Sequence, residues 1–448
     1  MISEDSEKKT AIAVAIVKKL CDKGFSALFA GGYVRDRIMT GDNTVIGDID
    51  IATNAKPQTI ARLFSHTIGV GEQFGVMVVV EDGIPFEVAT FRADIGISDG
   101  RHPDTVVFTD AQEDALRRDF TINGMFYDPV AEKIIDYVDG RSDIDKRIIR
   151  SIGDPYQRFK EDYLRMLRAI RFAARFDFTI DPDTWNALCE NAEKIQQISP
   201  ERIFAEIDKM LCQANPGKAL ELLMKSGLLR EVLPEVAALE GVKQPPEFHP
   251  EGDVFRHTKI CLDMMPPQPT PVLAWSALLH DIGKPSTIVF ADRIRFNNHD
   301  RVGALLASSV LRRLKASNAL IDSVCACIDN HMNFMNVMRM RLSTLKKFLS
   351  RPTIYDELEL HRADCQASHG DIQNYYFVKE KLSLMASEVI KPPPLIGGRD
   401  LIELGFIPGP LFGEILEYVY DLQLEEKVTT KDQAINAVKE HFLVNKQQ

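Results

Sequence analysis

Ser26-Ala27-Leu28-Phe29-Ala30-Gly31-Gly32-Tyr33-Val34-Arg35-Asp36, followed by Gly47-Asp48-Ile49-Asp50-Ile51-Ala52-Thr53, is the stretch that decides the fold of the N-terminal third. The first segment is an apolar run that enters a double glycine and leaves as a helical pattern, in the order strand, turn, helix. Two glycines let backbone N–H groups approach an anion. The helix N-terminus adds partial positive charge, and Arg35 is placed to clamp a phosphate. A Gly-Gly turn also serves plain chain reversal, so this segment alone decides no function. In the second segment, residues i and i+2 of a strand share a face, which sets Asp48 beside Asp50. Paired carboxylates repel unless a cation lies between them, and Mg2+ binds through one or two carboxylates plus substrate phosphates. Two exposed aspartates on an edge strand are the plain alternative. Glu87, in Phe86-Glu87-Val88, is a candidate third carboxylate that would hold a metal or deprotonate an attacking hydroxyl; an ordinary strand glutamate is its alternative.

Outward from this stretch, residues 76–83, 85–92 and 105–110 are short runs rich in β-branched and aromatic residues, bounded by Gly, Asp and Pro, and read as further strands. Residues 8–22 read as a helix. From about residue 141 onward helical patterns dominate, punctuated by Pro155, Pro182, Pro200, Pro216 and Pro234. Stronger breaks fall at 244–252, 266–271 and 391–398. Neither internal repeats nor heptads are evident. The expected architecture is α+β: a head of small mixed sheet and helices over 1–140, a helical neck over 141–240, a helical body over 245–390 and tail helices over 391–448.

A chain of 448 residues is too long for one core and fits two to four domains. Hydrophobic residues make up 45% and charged residues 27%, the balance of a well-packed soluble protein. No apolar run is long enough for a membrane helix, and the N-terminus, acidic and polar, lacks the layout of a secretory signal. The seven cysteines are scattered, with Cys325 and Cys327 the only close pair, so free thiols in a reduced, cytoplasmic compartment are expected. The net charge of −11 disfavours non-specific coating of nucleic acid. Residues 141–175 nevertheless carry ten Lys/Arg against five Asp/Glu, a surplus of five, which points to focused phosphate binding.

The conjunction of motifs is far more specific than its parts. Gly31–Asp36, Asp48-Ile49-Asp50, Arg117-Arg118-Asp119-Phe120-Thr121-Ile122-Asn123-Gly124-Met125, residues 161–172 and Ile198-Ser199-Pro200-Glu201-Arg202-Ile203 together resemble the class II tRNA nucleotidyltransferase and bacterial poly(A) polymerase family. The resemblance is dense over about 25 to 215. It implies a nucleotidyltransferase head of five-stranded type, then neck, body and tail. Gly31, Gly32 and Arg35 would hold a triphosphate, Asp48 and Asp50 would ligate Mg2+, and Arg118 would bind the incoming nucleotide. Two metals would bridge the RNA 3′-hydroxyl and the α-phosphate. Two departures stand out: Tyr33 where the family usually has a small residue, and Gly124 in place of a usual alanine, expected to be harmless.

In the neck, Arg165, Arg168 and Arg171 recur every third residue, with Asp162 one step before and Arg175 one turn after. They read as one helix face. Leu164, Leu167, Ile170 and Ala174 form the apolar stripe. A solvated basic face is the plain alternative. The resemblance implies that Asp162 accepts from an exocyclic amino group while Arg165 donates to the adjacent ring nitrogen. Cytosine and adenine share that pattern; uracil and guanine present a carbonyl to the carboxylate and are rejected. Arg168 and Arg171 would neutralise the triphosphate. Residues 93–103 resemble the family's flexible loop, which favours full CCA addition, with an ordinary hairpin loop as the alternative.

In the body, His257, the pair His280-Asp281 and Asp364 resemble the His…His-Asp…Asp pattern of HD phosphohydrolases, with His299 and His331 as further candidates. Such donors suit Ni, Mn or Mg, and a phosphatase or phosphodiesterase activity is the implied chemistry. A helical spacer without catalysis is the alternative. Residues 394–448 resemble the C-terminal segment of HD-containing members, where Pro408–Gly413 would turn into a helix that supports the tRNA elbow. The implied activity is addition of C, C and A to tRNA from CTP and ATP. Its rivals are a poly(A) polymerase, whose relatives are usually basic overall, and an HD phosphohydrolase or non-catalytic protein whose head only binds RNA.

Overall fold

The computed structural model describes residues 4–41, 47–71, 74–95, 105–247, 249–290, 293–385 and 390–443. Two units emerge, residues 1–237 and 238–448. The first opens on a helix, Glu4–Cys21, and contains a mixed sheet. Its strands are β1 (Ala27–Ala30), β2 (Asp50–Thr53), β3 (Thr67–Gly71), β4 (Val76–Glu81), β5 (Ile84–Thr90), β8 (Phe126–Asp128) and β9 (Lys133–Ile135), in the order β3-β4-β5-β2-β1-β8-β9. β6 (Arg92–Ile95) and β7 (Thr105–Phe108) form a separate antiparallel ribbon. The sheet therefore has seven strands rather than five. β3 and β9 form its two edges, each paired antiparallel with its chain neighbour. Most of the segment 93–103 lies outside the described residues.

Register positions the chemistry. β1 and β2 run antiparallel with Ala30 opposite Asp50, so the end of β1, where the glycines begin, meets the start of β2. β2 and β5 run parallel with Ile51 beside Val88, which carries Glu87 alongside Asp50. Beneath them Leu28, Ala30, Ala52, Phe91, Ala115 and Phe126 close a core.

The neck does not continue as one helix through residue 162. The helix Pro155–Glu161 ends there, Asp162 takes an extended backbone (φ −158°), and a new helix runs from Leu164 to Arg175. Asp162 Oδ1 accepts from the Leu164 backbone N–H at 3.1 Å, an i, i+2 turn that leads into the new helix, whose N-cap position is Tyr163. Leu164, Leu167, Ile170 and Ala174 are all buried, as the stripe requires, together with Met166, Ala169 and Ala173. This helix packs on Pro200–Leu211 and Pro216–Lys225.

Unit 238–448 is almost wholly helical, with one short ribbon, β12 (Ile288–Phe290) and β13 (Ile294–Phe296), in the chain's numbering after the two-residue strands β10 (Ile148–Ile149) and β11 (Thr179–Ile180) of the first unit. It has distinct cores around Phe334, Phe348 and Leu358 and around Leu401, Ile415 and Val438. The second lies in the tail, where the Pro408–Gly413 turn opens the helix Pro410–Leu424. None of the seven cysteines is paired; Cys261, Cys327 and Cys365 are buried, whereas Cys21 is exposed. Among the described residues no helix is long and apolar enough to cross a membrane.

Candidate active site

Gly31 is where the fold turns into chemistry. Its φ of +66° is a conformation that a side chain disfavours. A Cβ there would also stand 3.4 Å from Arg118 Nη1 and 3.6 Å from Asp50 Oδ2. A side chain would fill the space between a guanidinium and a carboxylate. Gly31, Gly32, Arg35, Asp50, Arg118, Asp162, Arg165 and Arg168 line one cleft of about 520 Å³, together with Asp119, Asn123, Phe172 and Arg202. Tyr33, by contrast, is turned inward, its ring 5.1 Å from that of Phe29, so it leaves the cleft free. At Gly124 a Cβ would lie 2.8 Å from Val138 Cγ2 and 2.9 Å from Ile152 Cδ1, so the absent methyl is matched by neighbours that fill its place.

The carboxylates gather on one side of the sheet. Ile49 is buried while Asp48 and Asp50 are exposed, and Glu87 is exposed between buried Phe86 and Val88. Asp48 lies two residues before the start of β2 and, like Glu87, is not among the residues that line the cleft. Lys9 Nζ reaches Asp48 Oδ1 at 3.2 Å. Desolvation, then the charges of Glu87 and Asp48, push the Asp50 carboxyl above its ordinary value against the pull of Arg118. Like charges held this close favour a divalent cation, and an all-oxygen donor set fits Mg2+.

A hydrogen-bonded chain links the glycine turn to the neck helix. Arg35 Nη1 donates to Asn123 Oδ1 at 2.6 Å. Asn123 Nδ2 donates to Asp119 Oδ1 at 3.1 Å, and Arg168 donates to Asp119 Oδ2 through Nη2 at 2.6 Å and Nε at 2.8 Å. Burial opposes ionisation of Asp119, but Arg168 and Asn123 outweigh it and hold the carboxyl at about 2. Arg35 also stacks on Phe176, 4.6 Å from the ring centre. Arg118 is braced by Asp114 at 3.0 Å.

The base-reading set differs in detail from the expectation. Asp162 Oδ2 accepts from Arg202 Nη2 at 2.7 Å, while Arg165 Nη1 donates to Glu161 at 2.5 Å and to the Arg158 carbonyl at 2.8 Å. Arg171 is not brought to the cleft: it is buried, with Nε 2.7 Å from Glu206 Oε2. Helical geometry gives the reason, because residues six apart are rotated by about 120° and cannot share a face. Arg202, Asp119 and Asn123 were not singled out in the sequence, although each sits inside a motif that carried the resemblance.

A second polar cluster lies in unit 238–448. His257, from the helix Val254–Asp263, His280-Asp281 at the end of Pro271–Leu279, and Asp364, from Ile354–Ala367, come together in one cluster. His257 Nε2 is 3.0 Å from Asp364 Oδ1 and 3.8 Å from Asp281 Oδ2; His280 Nε2 is 3.2 Å from Asp281 Oδ2. His299 and His331 join them. Gly283 makes this approach feasible, since a Cβ there would stand 2.2 Å from the His299 carbonyl oxygen. Burial, then His299 and His280, bring the His331 ring down to about 4 and keep it neutral. Glu251, unnoticed in the sequence, accepts from His257 Nδ1 at 2.7 Å and from His249 at 2.9 Å.

A sheet-borne carboxylate set, a glycine turn and an arginine-lined neck cleft define the class of nucleotidyltransferases with a poly(A) polymerase-type head. Compared with known families, residues 27–150 match the Poly A polymerase head domain, 177–239 the RNA and SrmB-binding site of polymerase A, and 302–438 tRNA nucleotidyltransferase domain 2. The CCA-adding enzyme of Pediococcus pentosaceus is 32% identical over 435 residues, covering 95% of this chain and 96% of that protein. That of Lactococcus lactis is 32% identical over 441 residues with the same coverage, 95% and 96%. The structure of Bacillus stearothermophilus CCA-adding enzyme in complex with CTP superposes with a TM-score of 0.75 at 27% identity, covering 97% of this chain and 98% of that one. The chain belongs to the CCA-adding enzyme family.

Proposed function

We infer that this protein adds C, C and A to the 3′ end of tRNA, taking the nucleotides from CTP and ATP. The observation that carries the reading is the single cleft in which the glycine turn, Asp50 and the Asp162 region of the neck converge. In this reading Gly31, Gly32 and Arg35 hold the triphosphate, and Arg118 holds the incoming nucleotide from the opposite side. Asp48 and Asp50 hold Mg2+, and Glu87 stands next to them as a further ligand or proton acceptor. Bound Mg2+ supplies a lowered pKa for the RNA 3′-hydroxyl and neutralises the leaving pyrophosphate. Asp162 accepts from the amino group of cytosine or adenine. The carbonyls of uracil and guanine would face that carboxylate, an acceptor against an acceptor, at a cost of about 1–3 kcal/mol. Arg202 holds the Asp162 carboxylate in place, and Arg168 supplies positive charge at the neck while it anchors Asp119. Arg165 reads the ring nitrogen once it exchanges Glu161 for the base.

We assign the four-part division, with head, neck, body and tail over 1–140, 141–240, 245–390 and 391–448, on the same basis, and a cytoplasmic location with it. His257, His280, Asp281 and Asp364 form a candidate site for Ni2+, Mn2+ or Mg2+, whose imidazole content favours Ni2+. The test is incubation of tRNA lacking its terminal CCA with CTP and ATP, singly and together. CTP alone should stop after two additions and both together after three. A long adenylate tail would identify a poly(A) polymerase instead.

A further inference from the structure

We propose that Lys9, from the N-terminal helix, is a positioning residue of the head. Its ammonium is the resident counter-ion of Asp48, disfavours uptake of a lone divalent ion by that carboxylate, and attracts the ion when it arrives with a nucleoside triphosphate. The proposal rests on the reading of Asp48 and Asp50 as the Mg2+ pair and concerns what governs that pair before substrate binds.

The helix Glu4–Cys21 buries Ala13, Ile16, Val17 and Leu20. Lys9 stands four residues before Ala13 on the same stripe, so a charge extends the buried face. Its neighbour Lys8 is exposed, whereas the Lys9 side chain is only 23% exposed. A stem of this kind packs on apolar surface and delivers its charged end at the edge. Here the edge is the segment before β2. Lys9 Nζ donates to the Gly47 carbonyl oxygen at 2.8 Å and to Asp48 Oδ1 at 3.2 Å. In the register of β1 with β2 the last pair is Ala30 with Asp50, two residues short of Asp48. Lys9 reaches past that point and ties down both the backbone and the carboxylate. Its charge is also felt at Asp50, on the side of Arg118 and against Glu87 and Asp48.

The signs of the charges decide what this contact does. An ion bound to Asp48 Oδ1 at about 2.1 Å would stand within about 5 Å of the ammonium. Like charges so close repel, and Lys9 therefore weakens binding of a bare ion. A triphosphate carries more negative charge than the ion neutralises, so the same ammonium attracts the pair. Departure of pyrophosphate restores the repulsion and favours emptying of the site. Asp48 is fully exposed, so water and salt screen the effect and confine it to a few-fold.

The test is Mn2+ binding to the full chain by electron paramagnetic resonance at low salt, first alone and then with CTP but without tRNA. The component that Asp50→Ala loses is the head site. Lys9→Met keeps the apolar stem and removes the charge. At that site it should bind Mn2+ alone about three- to fivefold more tightly than wild type, and Mn2+ with CTP about threefold more weakly. Lys9→Gln, a second neutral variant, should repeat both shifts, and circular dichroism checks the folding of each. Lys9→Arg keeps the charge and should match wild type. In about 0.5 M salt both differences should shrink below about twofold. Equal affinities in wild type and the neutral variants would overturn the proposal. Weaker binding of Mn2+ alone would also overturn it and make Lys9 an aid to metal binding. If Asp50→Ala loses no Mn2+, the metal pair itself is misassigned and this role of Lys9 falls with it.

Discussion

The head–neck cleft and the helical cluster of unit 238–448 both gather acidic groups, but they use different donors. At the head, Asp50 lines the cleft with arginines around it, and Asp48, just before the strand, and Glu87, on the neighbouring strand, are exposed beyond that lining, an all-oxygen set. In the helical cluster four histidines and Asp281 are buried, and each ring is tied by its far nitrogen to a backbone carbonyl or to Glu251. Exposed oxygens suit an ion that arrives with its substrate's phosphates and leaves with them. Buried, pre-oriented imidazoles suit an ion that stays. The two regions should therefore differ in metal preference and in how readily a chelator strips them.

Substitutions that break the cleft should do so in order of their closeness to the reacting atoms. Asp50→Ala should lower nucleotide incorporation by at least about 10³-fold while the head stays folded, because the charge it contributes acts on the transition state. Activity within about tenfold of wild type in a folded Asp50→Ala protein would remove Asp50 from the metal set. Asp162→Ala should retain catalysis but relax the choice of base by about 10- to 100-fold, read as UTP and GTP incorporation relative to CTP and ATP. Unaltered selectivity would leave Asp162 only its turn bond to Leu164 and its pair with Arg202. Asn123→Ala should raise KM for both CTP and ATP by about tenfold, because Arg35 loses the acceptor that aims it and Asp119 loses a donor. An effect confined to one of the two nucleotides would instead tie Asn123 to the base. The smallest effect on chemistry belongs to Arg171→Lys, whose base selectivity should change by less than about twofold. Its thermal midpoint should drop, because the Glu206 pair is buried.

Much of the cleft was readable from local pattern. Gly31-Gly32 between an apolar run and a helix is a short-range signal that the structure keeps, whereas of the two acidic residues only Asp50 lies in β2 and Asp48 falls before it. The apolar stripe of the neck was readable for the same reason. What escaped was long-range. Arg202 meets Asp162 across 40 positions, and Asp119 meets Arg168 across 49. The break at Asp162 escaped because a turn-forming aspartate also fits the i, i+3 charge pattern, and spacing cannot distinguish the two. Arg171 satisfied a count of three without satisfying the 3.6-residue turn, and its partner lies 35 positions away. In the helical cluster the six His and Asp positions were visible, whereas Glu251, which accepts from His257, lay in the stretch 244–252, which read as a break. Gly283 has an ordinary φ of −78°. The fold needs it there to bring His299 close.

The most direct measurement is single-nucleotide-resolution sequencing of tRNA 3′ ends after incubation with this protein, CTP and ATP. The result expected is a product extended by C, C and A that then stops, abolished in Asp50→Ala and corrupted by U or G in Asp162→Ala. A tRNA left unextended by the folded wild-type protein with Mg2+ present, or one carrying an open-ended run of A, would contradict it.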